Sequence, residues 1–223
     1  MTVPVIAIDG PAASGKGTIA LAVAEALSFH HLDSGAIYRA FAWYAVQRGT
    51  GLSDSQALGA IVLQMSLGFT DGRPTIGGRV LDAELRTEAI GAMASKLAVI
   101  PAVRAALLQL QRDFRRPPGL VAEGRDMGSV VFPAATLKIF LSASFEERAR
   151  RRHKQLLEKD SGASIAAVLQ DLQERDQRDM QRAVAPLQAS ADALLLDTTG
   201  LSVGAVVTHV LNQYRQRIRG NTA

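Results

Sequence analysis

Apolar positions follow two textures along this 223-residue chain: short runs of Val, Ile and Leu, and longer stretches where apolar residues recur every three or four positions. Val3–Asp9 reads as a buried strand, Gly10–Gly15 as a glycine-bearing turn, and Lys16–Leu27 as a helix rich in Ala and Leu. A second short strand covers about Phe29–Leu32. After Asp33-Ser34-Gly35 a helix runs to about Arg48, the glycines around Thr50 end it, and another helix begins near Ser53. Residues 66–82 differ, because Gly68, Gly72, Gly77 and Gly78 punctuate pieces such as Pro74-Thr75-Ile76 and Arg79-Val80-Leu81. These predict small antiparallel strands. Helices fit Glu88–Leu97 and Val103–Phe114, closed by Pro117-Pro118-Gly119, and buried strands fit Leu120–Ala122 and Leu137–Leu141. Ser144 can cap a charged helix to about Lys159, Ser161-Gly162 breaks it, and a further helix runs from about Ser164 to Arg182, before Pro186. Ala193–Leu196 is the fifth core strand and Ser202–Arg219 the closing helix. Five core strands separated by helices predict an α/β chain with a parallel sheet flanked by helices, and ligands at the carboxyl ends of the strands.

A chain of this length with 48% hydrophobic residues can bury one sizeable core, and without cysteine it must do so without disulfides or thiolate metal sites. That suits a reducing cytoplasm. No basic segment precedes an apolar core at the N-terminus, and no apolar run reaches the roughly 18 residues of a membrane span. A soluble, cytoplasmic protein with no membrane partner is expected. The net charge is +4, and of the 25 basic residues 20 are arginine. Arginine presents a planar fork of donors that suits phosphate, although a GC-rich genome would raise the count too. The positions of the arginines therefore carry the argument.

Gly10-Pro11-Ala12-Ala13-Ser14-Gly15-Lys16-Gly17-Thr18 follows a strand and opens a helix. Glycines let successive N–H groups point at phosphate oxygens, the helix N-terminus adds positive potential, and Lys16 adds a full charge. The usual pattern puts Ser or Thr directly after the lysine to meet magnesium, whereas here Gly17 stands there and Thr18 follows. Direct coordination of magnesium by Thr18 stays open, and no residue is assigned as a metal ligand. Such a loop alone is compatible with GTPases, ATPases and small-molecule kinases.

Four other segments hold candidate anion binders. Ser34 and Arg39 follow the second strand; the ordinary alternative is helix capping by Asp33 or Ser34 with Arg39 in solvent. Arg125 and Asp126, between Gly124 and Gly128, follow the third buried strand and pair a phosphate binder with a carboxylate, unless they form only a structural salt bridge. Arg175, Asp179 and Arg182 fall at i, i+4 and i+7, on one helix face with Arg178 beside them. Glu174 with Arg178 and Arg175 with Asp179 could instead pair along a solvated face. On the preceding helix Arg148, Arg151 and Arg152 fall at i, i+3 and i+4. Two arginine-bearing helices joined at Ser161-Gly162 suggest a lid, which would bring charge to a moving phosphoryl group and exclude water.

With these pieces in order, the chain resembles the bacterial cytidylate kinase family over nearly its whole length. The resemblance rests on Ile8-Asp9-Gly10-Pro11 leading into Gly15-Lys16-Gly17-Thr18, and on Leu32-Asp33-Ser34-Gly35-Ala36-Ile37-Tyr38-Arg39. It rests also on Gly124-Arg125-Asp126-Met127-Gly128, on Glu174-Arg175-Asp176 through Arg182-Ala183-Val184-Ala185-Pro186-Leu187, and on the insertion between Ser66 and Ser95. It implies a P-loop NTPase fold with a five-stranded parallel sheet, a lid and an enlarged monophosphate-binding insertion. The core would comprise about 1–34, 115–147 and 183–223, the monophosphate-binding part about 35–114 with its insertion at about 66–95, and the lid about 148–182. The implied reaction is transfer of the γ-phosphoryl group of ATP to CMP or dCMP, with Mg2+, by a monomer. Residues 10–18 would hold ATP, and Arg148, Arg151 and Arg152 would belong to the lid. Ser95, Arg104 and Asp126 would read the cytosine edge, and Ser34 would lie beside the acceptor. Arg39, Arg125 and Arg182 would hold its phosphate, while Arg175 and Asp179 would meet the ribose. Lys16, Arg125 and Arg182 would be the catalytic groups. Cytosine offers an amino donor at N4 and acceptors at N3 and O2, which a carboxylate and an arginine can read, whereas uracil would face Asp126 acceptor to acceptor.

A kinase of the same fold acting on UMP, AMP or shikimate is the nearest rival reading. A regulatory GTPase would need an Asn-Lys-x-Asp segment, which the chain lacks. A basic nucleic-acid-binding module would explain the charge, but the arginines gather at candidate phosphate sites and aromatics make up only 5%, so stacking platforms are scarce and no nucleic-acid partner is expected.

Overall fold

The computed structural model describes residues 3–51, 54–70, 72–158 and 164–220, and these fall into two compact units, one of residues 1–32 with 115–223 and the other of residues 33–114. The first unit is built on a five-stranded parallel sheet in the order β2-β6-β1-β7-β8. Its strands are β1 (Val5–Asp9), β2 (His30–Asp33), β6 (Leu120–Gly124), β7 (Leu137–Ser142) and β8 (Leu194–Asp197). In the central strand β1 every residue is buried, because it is paired on both sides and covered on both faces. Helices α1 (Lys16–Leu27) and α8 (Val203–Gly220) cover one face, where Ile19 and Val23 meet Ile6, Ile8, Val121, Ile139, Val206 and Val210. Burying each such side chain contributes about 1.5–3 kcal/mol. At the rim of that core Phe29 stands edge-on to Tyr214 with ring centroids 5.8 Å apart. A β-carbon at Gly119 would sit 2.5 Å from the Phe29 ring, so only glycine fits before β6.

Helices α6 (Phe145–Leu157) and α7 (Ile165–Gln181) form a second layer in the same unit. Ala149, Leu156, Val168 and Leu172 bury against each other and against Ala12 of the glycine loop. Ser144 caps α6 by accepting from the N–H of Glu147, and Ser164 caps α7 by accepting from Ala167. The expected break at Ser161-Gly162 lies outside the described residues.

The second unit holds α2 (Ser34–Gln47), α3 (Ser55–Val62), α4 (Glu88–Leu97) and α5 (Pro101–Arg112), with a three-stranded antiparallel sheet of β3 (Leu67–Thr70), β4 (Arg73–Ile76) and β5 (Arg79–Val80). The short strands expected in 66–82 are present. Leu81 and Leu85 bury with Ala40, and Trp43, Leu67, Ile76 and Ile90 pack around them. Helix α5 starts two residues earlier than the pattern suggests, at Pro101, whose fixed φ and missing N–H suit the first turn. A larger departure lies in the first unit: Met127–Val131, to which the pattern assigns no element, is one π-helical turn. Among the described residues no single helix is long and apolar enough to cross a membrane.

Candidate active site

β6 and β1 are parallel neighbours, with Gly124 beside Asp9, so the segments that leave their carboxyl ends start side by side. The segment after β1 is the glycine loop. A β-carbon at Gly10 would drive into the Leu141 carbonyl, and Gly15 caps α1 from the left-handed region at φ 92°, which glycine adopts freely. Lys16 is buried and its ammonium donates to the Pro11 carbonyl at 3.0 Å, so the charge lies folded across the loop. Beside the loop stands Glu123, whose Oε1 lies 2.9 Å from where a β-carbon of Gly17 would be. The space after the lysine is therefore taken by a carboxylate from β6, which explains the departure from the usual Ser or Thr. His31 Nε2 lies 3.6 Å from the same oxygen.

Two of the arginines expected in a lid bind the loop directly. Arg148 Nη1 donates to the Ala12 carbonyl at 3.2 Å and to Asp176 Oδ2 at 2.6 Å. Arg151 Nη1 donates to the Ser14 carbonyl at 3.2 Å, and its Nη2 to the Thr198 carbonyl at 2.8 Å. Glu147 accepts from both Arg150 and Arg151, and those bonds hold its carboxyl down at about 2. Arg152 is half-buried on the same helix. Thr198, in the turn after β8, is buried and donates through Oγ1 to Ser142.

The segment after β6 carries Arg125 and Asp126. Arg125 Nε donates to Asp179 Oδ2 at 2.7 Å, joining two candidate residues 54 positions apart. Burial pushes the Asp179 carboxyl up, but Arg125, Arg175 and Arg182 together outweigh it and leave the group below its ordinary value. Arg182 is buried at the end of α7. Asp126, also buried, precedes the π-helical turn, and its carbonyl accepts from Val130 and Val131. The intrahelical pair Glu174–Arg178 exists at 3.6 Å, and Asp179 pairs with Arg125 from the segment after β6.

Four candidates belong to the second unit. Ser34 is buried at the start of α2, which Asp33 caps by accepting from Ala36 N. Arg39 Nη1 reaches the Leu85 carbonyl at 3.4 Å. Ser95 is buried on α4, and Arg104, buried on α5, donates from Nη1 to the Tyr38 hydroxyl and the Ala98 carbonyl. The other nine candidate positions beyond the loop's own small residues, from Lys16 to Arg182, lie in the first unit.

From the sequence alone, no role is assigned to Asp9, Glu123, Asp176 or Tyr38. An acid closing the apolar run Val5-Ile6-Ala7-Ile8 was the signal for Asp9, since a buried carboxylate needs partners. Asp176 had no comparable signal, because its partner Arg148 lies 28 residues away on another helix.

A lysine-bearing glycine loop between β1 and α1, overlaid by arginines and flanked by an arginine–carboxylate cluster after the adjacent strand, defines a phosphate-handling α/β kinase. The sequence model described as "Cytidylate kinase" matches residues 6–216. A cytidylate kinase of Nitrosomonas europaea is 55% identical over 214 residues, covering 96% of each chain. One of Chromobacterium violaceum is 54% identical over 217 residues, 97% of this chain and 98% of that one. The chain belongs to the cytidylate kinase family. The fold is shared with a protein of Eubacterium ventriosum of known structure, at TM-score 0.55 and 12% identity, covering 96% of this chain and 98% of the other.

Proposed function

We propose that this kinase transfers the γ-phosphoryl group of ATP to CMP or dCMP with the residues named above. One observation carries the assignment of roles: Lys16 and Arg125 leave the carboxyl ends of adjacent parallel strands, and Arg125 is held by Asp179 within the Arg175 and Arg182 charge cluster. Phosphoryl transfer asks the protein chiefly for positioning and for neutralising the oxygens of the moving group. Lys16 would hold the ATP phosphates, exchanging its bond to Pro11 for phosphate oxygens, with Arg148 and Arg151 setting the loop carbonyls. Arg125 and Arg182, with Arg39, would hold the acceptor phosphate. Arg175 and Asp179 would meet the ribose, and Asp126, Arg104 and Ser95 would read cytosine, with Ser34 beside the nucleotide.

Magnesium fits the donors at the loop. Hard oxygen ligands suit it, it retains waters, and it needs few protein groups beside substrate phosphates. Glu123, whose carboxylate lies against Gly17, and the Thr18 hydroxyl would hold it, and it would supply charge neutralisation between the phosphates. Among the described residues no group of three or more His, Cys, Asp or Glu side chains is placed to cage an ion. The reading includes a cytoplasmic monomer with ATP and CMP or dCMP as its partners; a cysteine-free chain held by its buried core suits a reducing compartment.

The test is base discrimination. Asp126→Ala should raise KM for CMP and narrow the ratio of kcat/KM for CMP over UMP. An unchanged ratio would remove Asp126 from base reading.

A further inference from the structure

Asp9 is the last residue of the central strand, buried at 7% exposure, and both its carboxylate oxygens are engaged. Oδ1 accepts from the N–H of Met127 and Oδ2 from the N–H of Gly128, each at 2.8 Å. These two N–H groups open the π-helical turn Met127–Val131. At the start of a helical turn such N–H groups have no partner within the turn, so a buried one must find a partner elsewhere. The carbonyl of Asp126 accepts from Val130 and Val131 within that turn. The backbone on the carboxyl side of Asp126 is therefore pinned twice, by its own turn and by a carboxylate 117 residues earlier in the chain.

We infer that Asp9 is a positioning residue for substrate selection: by clamping Met127 and Gly128 it fixes the backbone from which the Asp126 side chain projects. The inference rests on the proposal that Asp126 reads the base. Asp9 itself need not touch substrate, since both its carboxylate oxygens are taken up by the two N–H groups. The cost of keeping it is visible, because burial, with the neighbouring Asp126 charge, pushes its carboxyl up to about 6 despite the two N–H bonds and the nearby Arg125. An apolar residue would avoid that cost but would leave two buried N–H groups without acceptors.

Asp9→Asn keeps the shape but offers one acceptor oxygen, so the amide NH2 must face one of the two N–H donors. A misplacement of about 1 Å in a positioned group can cost on the order of 100-fold in rate. The measurement is kcat/KM for CMP and for UMP in the wild type, Asp9→Asn and Asp126→Ala, with folding followed by thermal melting. Both nucleotides use the same ATP and carry the same phosphate, so a defect in the glycine loop next to Asp9 lowers both values and leaves their ratio unmoved. Asp9→Asn should narrow the CMP-over-UMP ratio by at least about fivefold, a modest share of what such misplacement can cost. If Asp126→Ala narrows the ratio and a folded Asp9→Asn does not, Asp9 has no positioning role. If Asp126→Ala itself leaves the ratio unchanged, the base-reading proposal falls, and this inference with it. Should Asp9→Asn not fold, amide hydrogen exchange in the wild type decides: Met127 and Gly128 amides protected like those of β1 support the clamp, and amides exchanging like exposed loop positions overturn it.

Discussion

The Glu123 carboxylate stands against the α-carbon of Gly17, with Oε1 2.9 Å from where a β-carbon would be. A serine there would recreate the more familiar lysine-serine pair and at the same time displace a buried acid. Overpacking of this kind costs about 1–3 kcal/mol. Gly17→Ser should therefore be less stable in urea unfolding, and should raise KM for ATP with magnesium while leaving KM for CMP near the wild-type value. A variant with unchanged stability and unchanged KM for ATP would mean that Glu123 moves aside freely and has no part at the loop.

Asp179 and Arg182 should give different signatures. Because Asp179 accepts from Arg125, Asp179→Ala removes a sugar acceptor and also frees the arginine assigned to the acceptor phosphate. Both CMP and dCMP should lose kcat/KM, by about 1–3 kcal/mol for the missing charge-assisted contact, with an extra loss confined to CMP if the 2′-hydroxyl is read. Arg182→Ala should injure both nucleotides equally. Steady-state assays with the two substrates separate these cases, and full activity of Arg182→Ala would return that residue to a structural role.

The raised carboxyl of Asp9 makes a prediction about stability and pH. Its folded value, about 6, lies above the unfolded value near 3.8, so the folded protein binds this proton more tightly. The stability it contributes is fully present below the unfolded value and is lost as pH rises through about 6. A gap of about two units corresponds to about 3 kcal/mol at most. Asp179 has the opposite sense, with its stabilisation present above the ordinary carboxylate value and lost in more acidic solution. Urea unfolding of wild type and Asp9→Asn at pH 7.5 and pH 5 should show the wild type gaining on the variant as pH falls. A constant difference would place Asp9 at an ordinary value.

The sheet and the loop were legible in the sequence because their signals are local: apolar runs such as Val5–Ile8, a glycine-rich turn, and a lysine opening a helix. Helix ends were read closely where a cap was present, as at Ser144 and Asp33, and less closely at α5, where Pro101 begins the helix without a side-chain cap. The π-helical turn after Asp126 was not legible, since what secures its first N–H groups is a carboxylate on β1. The same holds for Asp179. Spacing along α7 suggested Arg175 beside Asp179, and its charge does act there, but the hydrogen bond from Arg125, 54 positions away, is visible only in the fold. Arg148 and Arg151 were legible as a basic cluster, but their bonds to loop carbonyls were not.

In the proposed reaction a charged glycine loop would drive phosphoryl transfer from ATP to a cytidine nucleotide. A coupled assay of ADP release across CMP, dCMP, UMP and AMP, with wild type and Lys16→Met, tests it most directly. CMP and dCMP should be turned over in preference to UMP and AMP, and Lys16→Met should stay folded but lose at least about 100-fold in kcat, as expected when a preorganised charge leaves the transition state. Preference for UMP or AMP, or near wild-type turnover by Lys16→Met, would contradict it.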